Sequence, residues 1–349
     1  FTFTELLENV KIEGVDEGEY AFAIFNPSQW KQSGWIEAEL EIPWTMSKTD
    51  PLKPFRGVKI TDLAGNEQKS WLVKYEHDKV VGRPALRTFA MAHARPTFTV
   101  SLWVDDVPAC GYKLFKFKPL EKPYYTFGDL TPERNVLENR HLKAEIKPNG
   151  AIALTNKANG LTYENLHYFE DGGDNGGGYA YSFPKDDQVF TTLGSSAEIV
   201  LIENSHARAA YKVILTLDLP ESLDCSRQAR SNAKKPLVIE SVISLGPGSR
   251  RLDIETRVVN TVKGHRLRAL FPTYLKADTS SGEAQFDVVD HPVDIDQPPY
   301  EIWREDQPKQ FAQKTFASIT DGKKGLSIAN IGLPEYEITP NRERAIAVT

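Results

Sequence analysis

HLKAEIKPNG, residues His141 to Gly150, decides the fold class. Leu142, Ala144 and Ile146 share one side of an extended chain, and His141, Lys143, Glu145 and Lys147 share the other. A period of two is the spacing of a half-buried strand, because successive side chains leave a pleated backbone on opposite faces. KPNG then supplies the chemistry of a tight reversal: proline presets φ, and Asn-Gly tolerates the left-handed conformation. The same signature recurs outward in both directions. In KVILTLDL (Lys212 to Leu219), Val213, Leu215, Leu217 and Leu219 share a face, and in RLDIETRV (Arg251 to Val258), Leu252, Ile254, Thr256 and Val258 do. YAFAIF, WIEAELEI, TFTVSLWV, YKLFKFK, AEIVLIE, PLVIESVISL and GLSIANI are further strand candidates, separated by DLAGN, NKANG, LGPGSR and TDGKKG. Strands at this spacing, almost without helices, predict antiparallel sheets packed as sandwiches. TELLENV (Thr4 to Val10) alone reads as helix, and it is too short to stand by itself.

The chain has 349 residues, enough for two domains. Proline, glycine and charge in PLEKPYYTFGDLTPE place a linker at residues 119–133. It joins a small sandwich over 13–118 to a larger one over 134–349, with residues 1–12 left as the remnant of a preceding helical region. The polar run CSRQARSNAKKP (Cys225 to Pro236) reads as a solvated loop between two long strands. NRERAIAVT ends on an alternating apolar run, so closing strands are expected beyond Thr349. The net charge of −6 disfavours nucleic acid and anionic membrane as partners. No stretch approaches the roughly 20 apolar residues of a membrane span.

Most motifs for chemistry are missing. There is no GxxxxGK[ST], no strand–GxGxxG–helix unit, no GxSxG and no HExxH. Cys110 and Cys225 have no metal-site spacing, and the seven histidines stand singly. The conspicuous segment is YFEDGGDNGGGYAYSFP, Tyr168 to Pro184. Its Glu170, Asp171 and Asp174 would repel a phosphate, and its aromatics do not suit a linker. It reads as the rim of a binding site, since glycines let a loop approach a ligand closely. Carboxylate pairs for glycoside chemistry can be drawn from Glu170, Asp171 and Asp174, or from Asp287 and Asp290. Spacing alone does not bring them together, and acidic residues in turns need no further reason.

AFAIFNPSQWKQSGWIEAELEIP (Ala21 to Pro43) resembles the first β domain after the catalytic region of glycoside hydrolase family 38, the α-mannosidases and bacterial mannosylglycerate hydrolases. VDDVPACGYKLFKF (Val104 to Phe117) is similar to the close of that domain, and Leu137 to Pro184 to the start of the family's large sandwich. RLRALFPT, QFDVVDHP and DGKKGLSIANIGLPEYEI follow in the family's order. The resemblance implies a small β-sandwich followed by a galactose-mutarotase-like supersandwich, incomplete at its C-terminus. It also implies a parent that hydrolyses α-mannosides with retention. The zinc ion and the catalytic aspartates belong to an N-terminal barrel absent from this sequence, so the segment is expected to be inactive, with no catalytic or metal residues of its own. The implied partners are that barrel and an α-mannoside or mannosylglycerate-type sugar at the rim. Association with further copies of the chain is compatible with the sequence, and a cytoplasmic bacterial setting is expected.

In the family a tyrosine of the glycine-rich loop reaches toward the sugar, and the matching position is Tyr179, with Tyr181 its neighbour on the same strand face. A tyrosine offers an apolar ring and a hydroxyl, and sugars need both. Asp174 and Asn175 are candidates to orient the loop or touch a sugar hydroxyl, and Arg268 to bring a cation to the rim or pair with a carboxylate. Two other readings stay open: a stand-alone carbohydrate-binding module and an aldose mutarotase. The latter needs a histidine acid facing a glutamate base, a pair the sequence does not assemble.

Overall fold

The computed structural model describes residues 10, 12–42, 55–83, 91–125, 127–177, 181–295 and 309–349, with the backbone alone for 81–83 and 91–94. The expected helix TELLENV lies, Val10 apart, outside these residues. Among them the chain is all-β, with one 3-10 turn at Thr192–Gly194.

The first six strands are β1 (Tyr20–Asn26), β2 (Gln32–Glu41), β3 (Gly57–Asp62), β4 (Ser70–Arg83), β5 (Met91–Val107) and β6 (Gly111–Leu120). They form two three-stranded antiparallel sheets, ordered β1-β6-β3 and β2-β5-β4. Alternation explains their pairing into a sandwich. Phe98, Val100, Leu102 and Val104 of β5 bury against Ile60, Phe115 and Phe117. Each such side chain contributes about 1.5–3 kcal/mol when buried.

The outer face of β2-β5-β4 carries Trp35 opposite Trp103, and Ser101 opposite Trp71. These strands belong to a compact unit made of residues 1–142, 201–210 and 244–253. Trp103 is buried there because Gly246 and Gly248 leave room for its indole. A Cβ on Gly246 would fall far inside van der Waals distance of the ring. The Arg208 guanidinium lies 4.0 Å from the ring centre of Trp35. Arg208 is aligned by Glu203, whose Oε2 accepts from its Nε at 2.9 Å and its Nη2 at 2.7 Å.

The next ten strands are β7 (Val136–Glu138), β8 (Leu142–Ile146), β9 (Ile152–Asn156), β10 (Leu161–Leu166), β11 (Tyr168–Gly173), β12 (Phe190–Thr191), β13 (Glu198–Asn204), β14 (Ala209–Pro220), β15 (Lys234–Leu245) and β16 (Asp253–Val259). The last eight are β17 (His265–Phe271), β18 (Thr279–Ala284), β19 (Asp287–Pro292), β20 (Gln310–Ala312), β21 (Phe316–Thr320), β22 (Gly325–Ala329), β23 (Glu335–Ile338) and β24 (Ile346–Val348). Their sheets run β10-β9-β8-β7, β13-β14-β15-β16, β19-β18-β21-β22 and β12-β11-β17-β24-β23-β20. The second compact unit, residues 143–200, 211–243 and 254–349, contains the six-stranded sheet. One face of that sheet is largely apolar. Phe169 of β11 and Leu267 and Ala269 of β17 pack on Leu215, Leu217 and Leu219 of β14 and Leu237 and Ile239 of β15. The other face carries charge, and it positions the site.

Candidate functional site: a charged sheet face beside the glycine-rich loop

Register builds this face. β11 and β17 pair so that Tyr168 stands opposite Leu270, Glu170 opposite Arg268 and Gly172 opposite Arg266. Residues directly opposite in an antiparallel pair share a face. β24 brings Ala347 to the same row, β23 adds Glu337, and β20 adds Gln310. The result is a ladder of alternating charge. Arg268 donates through Nη2 to Glu170 at 2.5 Å and through Nη1 to Glu337 at 2.7 Å. Glu337 also accepts from Gln310 at 3.0 Å and lies 3.7 Å from Nη1 of Arg266, whose Nη2 bonds Glu335. Burial works against the charge on Arg268, but Glu337 and Glu170 outweigh it and hold the guanidinium above its ordinary range. Arg268 thus pairs with one carboxylate on the adjacent strand β11 and another on β23, across β24, the second of the two roles open to it from sequence.

Tyr181 reaches the edge of this ladder. The Arg266 guanidinium sits 4.5 Å from the centre of its ring, and its hydroxyl donates to the Gly173 carbonyl at 2.9 Å. Burial, with the charge of Asp187 behind it, pushes the phenol up to about 12. It therefore stays a neutral donor at physiological pH, and its oxygen keeps acceptor capacity. Tyr179 lies within residues 178–180, outside the described residues.

Asp174 and Asn175 work inside the loop. The Asp174 carboxylate accepts from the Gly176 amide at 2.8 Å, and its own N–H donates to the Gly264 carbonyl at 2.9 Å. Asn175 donates from its backbone to Ser182 at 2.7 Å and from Nδ2 to Phe183 at 3.1 Å. The carboxylates considered as catalytic partners do not converge. Glu170 is taken by Arg268, Asp174 by its turn, and Asp171 faces the other side of the sheet. Asp290 accepts from Ser281 at 2.6 Å, and Asp287 caps the amide of Val288 at 2.8 Å.

Two contributors were hidden from sequence reasoning. Asp187 accepts from the Gly173 amide with both oxygens, at 2.9 and 3.1 Å. Gly173 is required there, because a Cβ would meet Asp187 Oδ1 and Pro184 Cγ at 2.7 Å. Nothing in KDDQ distinguishes this aspartate from a surface one. The other is Arg230, from the run read as a solvated loop. Its side chain is 1% exposed, against Asp171 at 0%. As for metals, no group of three or more His, Cys, Asp or Glu among the described residues could hold an ion. The zinc implied by the family resemblance finds no fitting donor set among the described residues.

Comparison with known proteins gives this geometry a context. A protein of Halalkalibacterium halodurans bearing the name "Putative mannosylglycerate hydrolase" is 29% identical over 255 residues, which are 69% of this chain and 27% of that protein. The crystal structure of an alpha-mannosidase from Enterococcus faecalis V583 superposes with a TM-score of 0.87 at 26% identity, over 99% of this chain and 41% of its own. A second Enterococcus faecalis structure, of a glycosyl hydrolase family 38 protein, superposes at 0.79 with 26% identity, over 99% of this chain and 42% of its own. The chain therefore spans about a quarter of the curated relative and about two fifths of the solved structures. The family model described as "Glycosyl hydrolases family 38 C-terminal domain" matches residues 137–343, more than half of the chain. This chain belongs to glycosyl hydrolase family 38 and carries the family's C-terminal domain.

Proposed function

We propose that the chain is the non-catalytic β region of a retaining α-mannoside hydrolase. In this reading it supports the catalytic barrel and lends the glycine-rich loop to the sugar-binding rim. The observation that carries the reading is the superposition over 99% of this chain on 41% of an alpha-mannosidase. Bond cleavage, and the zinc it uses, are assigned to the part of the relatives' length that this chain does not span. The loop suits a neutral polyol. Glu170 and Asp171 are paired with Arg268 and Arg230, and Asp174 is turned onto the Gly176 amide, so the loop presents oriented dipoles and a phenol. Tyr181 offers a hydroxyl with a free acceptor site, and Tyr179 is the family-matched position beside it. The substrate class is an α-mannoside, of which mannosylglycerate is one form.

Two measurements test this reading. Purified residues 1–349, with zinc added, are expected to release no product from an aryl α-mannoside; turnover at an enzyme-like rate would refute it. Calorimetric titration of the same chain with mannose is expected to give no saturable heat. A stand-alone binding module would saturate.

A further inference from the structure

We propose that the β14–β15 loop, residues 221–233, is a clasp that fixes the glycine-rich loop, and that Arg230, seated on Asp171, is its latch. The inference rests on the reading of the glycine-rich loop as a rim, and it adds the device that holds the rim in place.

The clasp is a built structure. Asp224 accepts from the amides of Gln228 at 3.1 Å and Ala229 at 3.4 Å and from the Ser226 hydroxyl at 2.8 Å, while its own N–H donates to Ala229 at 2.9 Å. Arg227 takes a left-handed φ of 56° at the tip. At the base, Glu221 donates to Ala233 at 2.7 Å and Ser231 to Ser222 at 2.9 Å. A loop so closed on itself moves as one piece.

It grips the rim loop at both ends. At the start, Arg227 donates to the Asn175 carbonyl, and Arg230 lies 2.7 Å from Asp171. At the far end, the Asp186 amide donates to Gln228 at 2.8 Å, and Arg230 donates to the Gln188 carbonyl at 3.3 Å. Leu223 lies beneath Gly264, whose carbonyl takes the Asp174 amide. The rim is thus held by the clasp before and after the residues that carry Tyr181.

The latch is costly, which argues that placement is its purpose. Removing both charges from water is unfavourable, and a buried pair often stabilises no more than apolar groups of the same volume. Here Nε and Nη2 of Arg230 and Oδ1 of Asp171 have no hydrogen-bond partner, so the pair is held as an ion contact through Nη1, with the guanidinium 5.5 Å from the centre of the Phe190 ring. Asp171 is held in turn by His265 Nδ1 at 2.5 Å, and His265 Nε2 meets Asn260 Oδ1 at 3.1 Å. A stability-driven site would be filled with apolar groups, as the neighbouring Leu215–Leu219 surface is.

Amide hydrogen exchange on the 349-residue chain tests the clasp. Arg230→Met should speed exchange at Gly173, Asp174, Asn175 and Asp186 at least tenfold and leave the β14 core amides of Leu215 and Leu217 at the wild-type rate. Asp171→Asn combined with Arg230→Gln removes both charges, so it tests the same point should the lone carboxylate unfold the first variant. Unchanged exchange at the rim, or equal acceleration of rim and core, overturns the proposal. In a full-length hydrolase bearing this region, the same substitution should raise KM for the α-mannoside more than it lowers kcat, with Arg230→Lys restoring part of the loss. Faster rim exchange with unaltered KM would leave the clasp standing and remove the rim reading instead.

Discussion

At the residue scale, His167 shows how burial turns one side chain into a pH term. Its backbone takes φ 63° and donates to Leu270 at 2.8 Å. Its ring lies 4.9 Å from Phe169 and 5.7 Å from Phe271, with Nε2 3.1 Å from the Thr256 hydroxyl. Burial brings the imidazole down from 6.5 to about 4. Between those values the unfolded chain binds a proton that the fold refuses. Stability is therefore full above pH 6.5 and is lost as pH falls toward 4, by roughly 3 kcal/mol. His167→Asn keeps a residue that tolerates positive φ and removes the titration. Its melting temperature should fall less between pH 6.5 and 4 than that of the wild type, by calorimetry. Residues of this kind are the least legible in a sequence. His167 reads as one of seven unclustered histidines, and Arg230 as part of a solvated run. What buries them comes from far along the chain: Thr256 for one, Asp171 for the other.

Elements were far more legible, because a strand's alternation is local. KVILTLDL buries Val213, Leu215, Leu217 and Leu219 on one face, as its spacing predicts. RLDIETRV also forms a strand, β16, although most of its face stays exposed. The order of strands was not legible. β11 lies beside β17, and β17 beside β24, so the charged ladder is assembled from segments nearly 180 residues apart. Glu170 and Arg268 look like ordinary polar positions until that register is known. The ladder makes its own prediction. Glu337 receives Arg268, Gln310 and the edge of Arg266 while its side chain is only 10% exposed. Glu337→Gln keeps the shape and removes the charge between two guanidinium groups. It should lower unfolding stability by about 3 kcal/mol, read as a shift in urea midpoint at constant slope.

At the scale of the whole molecule, the proline-rich stretch 119–133 begins within the last two residues of β6, the last strand of the small sandwich, and runs on from its end. That composition marks where a chain leaves a sheet. It carries no sign that residues 201–210 and 244–253 join the same compact unit. Two glycines flanking a proline, in LGPGSR, read as a turn, and they also make the bed for an indole. Gly246→Ala places a methyl group against Trp103 with ring atoms rather than a flexible chain in its path. Overpacking of this kind should destabilise the unit by about 1–3 kcal/mol. Tryptophan fluorescence during denaturation measures it, and Trp103→Phe in the same background should recover part of the loss.

The bed under Trp103 also sets a schedule. β2, β4 and β5 leave the ribosome long before Gly246 does. At about 5–20 residues per second, some 140 residues of further synthesis separate the indole from its cover by roughly 7 to 30 seconds. Until then the nascent sheet lacks the glycine bed of Trp103, and for most of that interval the Arg208 cover of Trp35 as well. The small sandwich is first in sequence, yet it is not finished until the chain has passed residue 248.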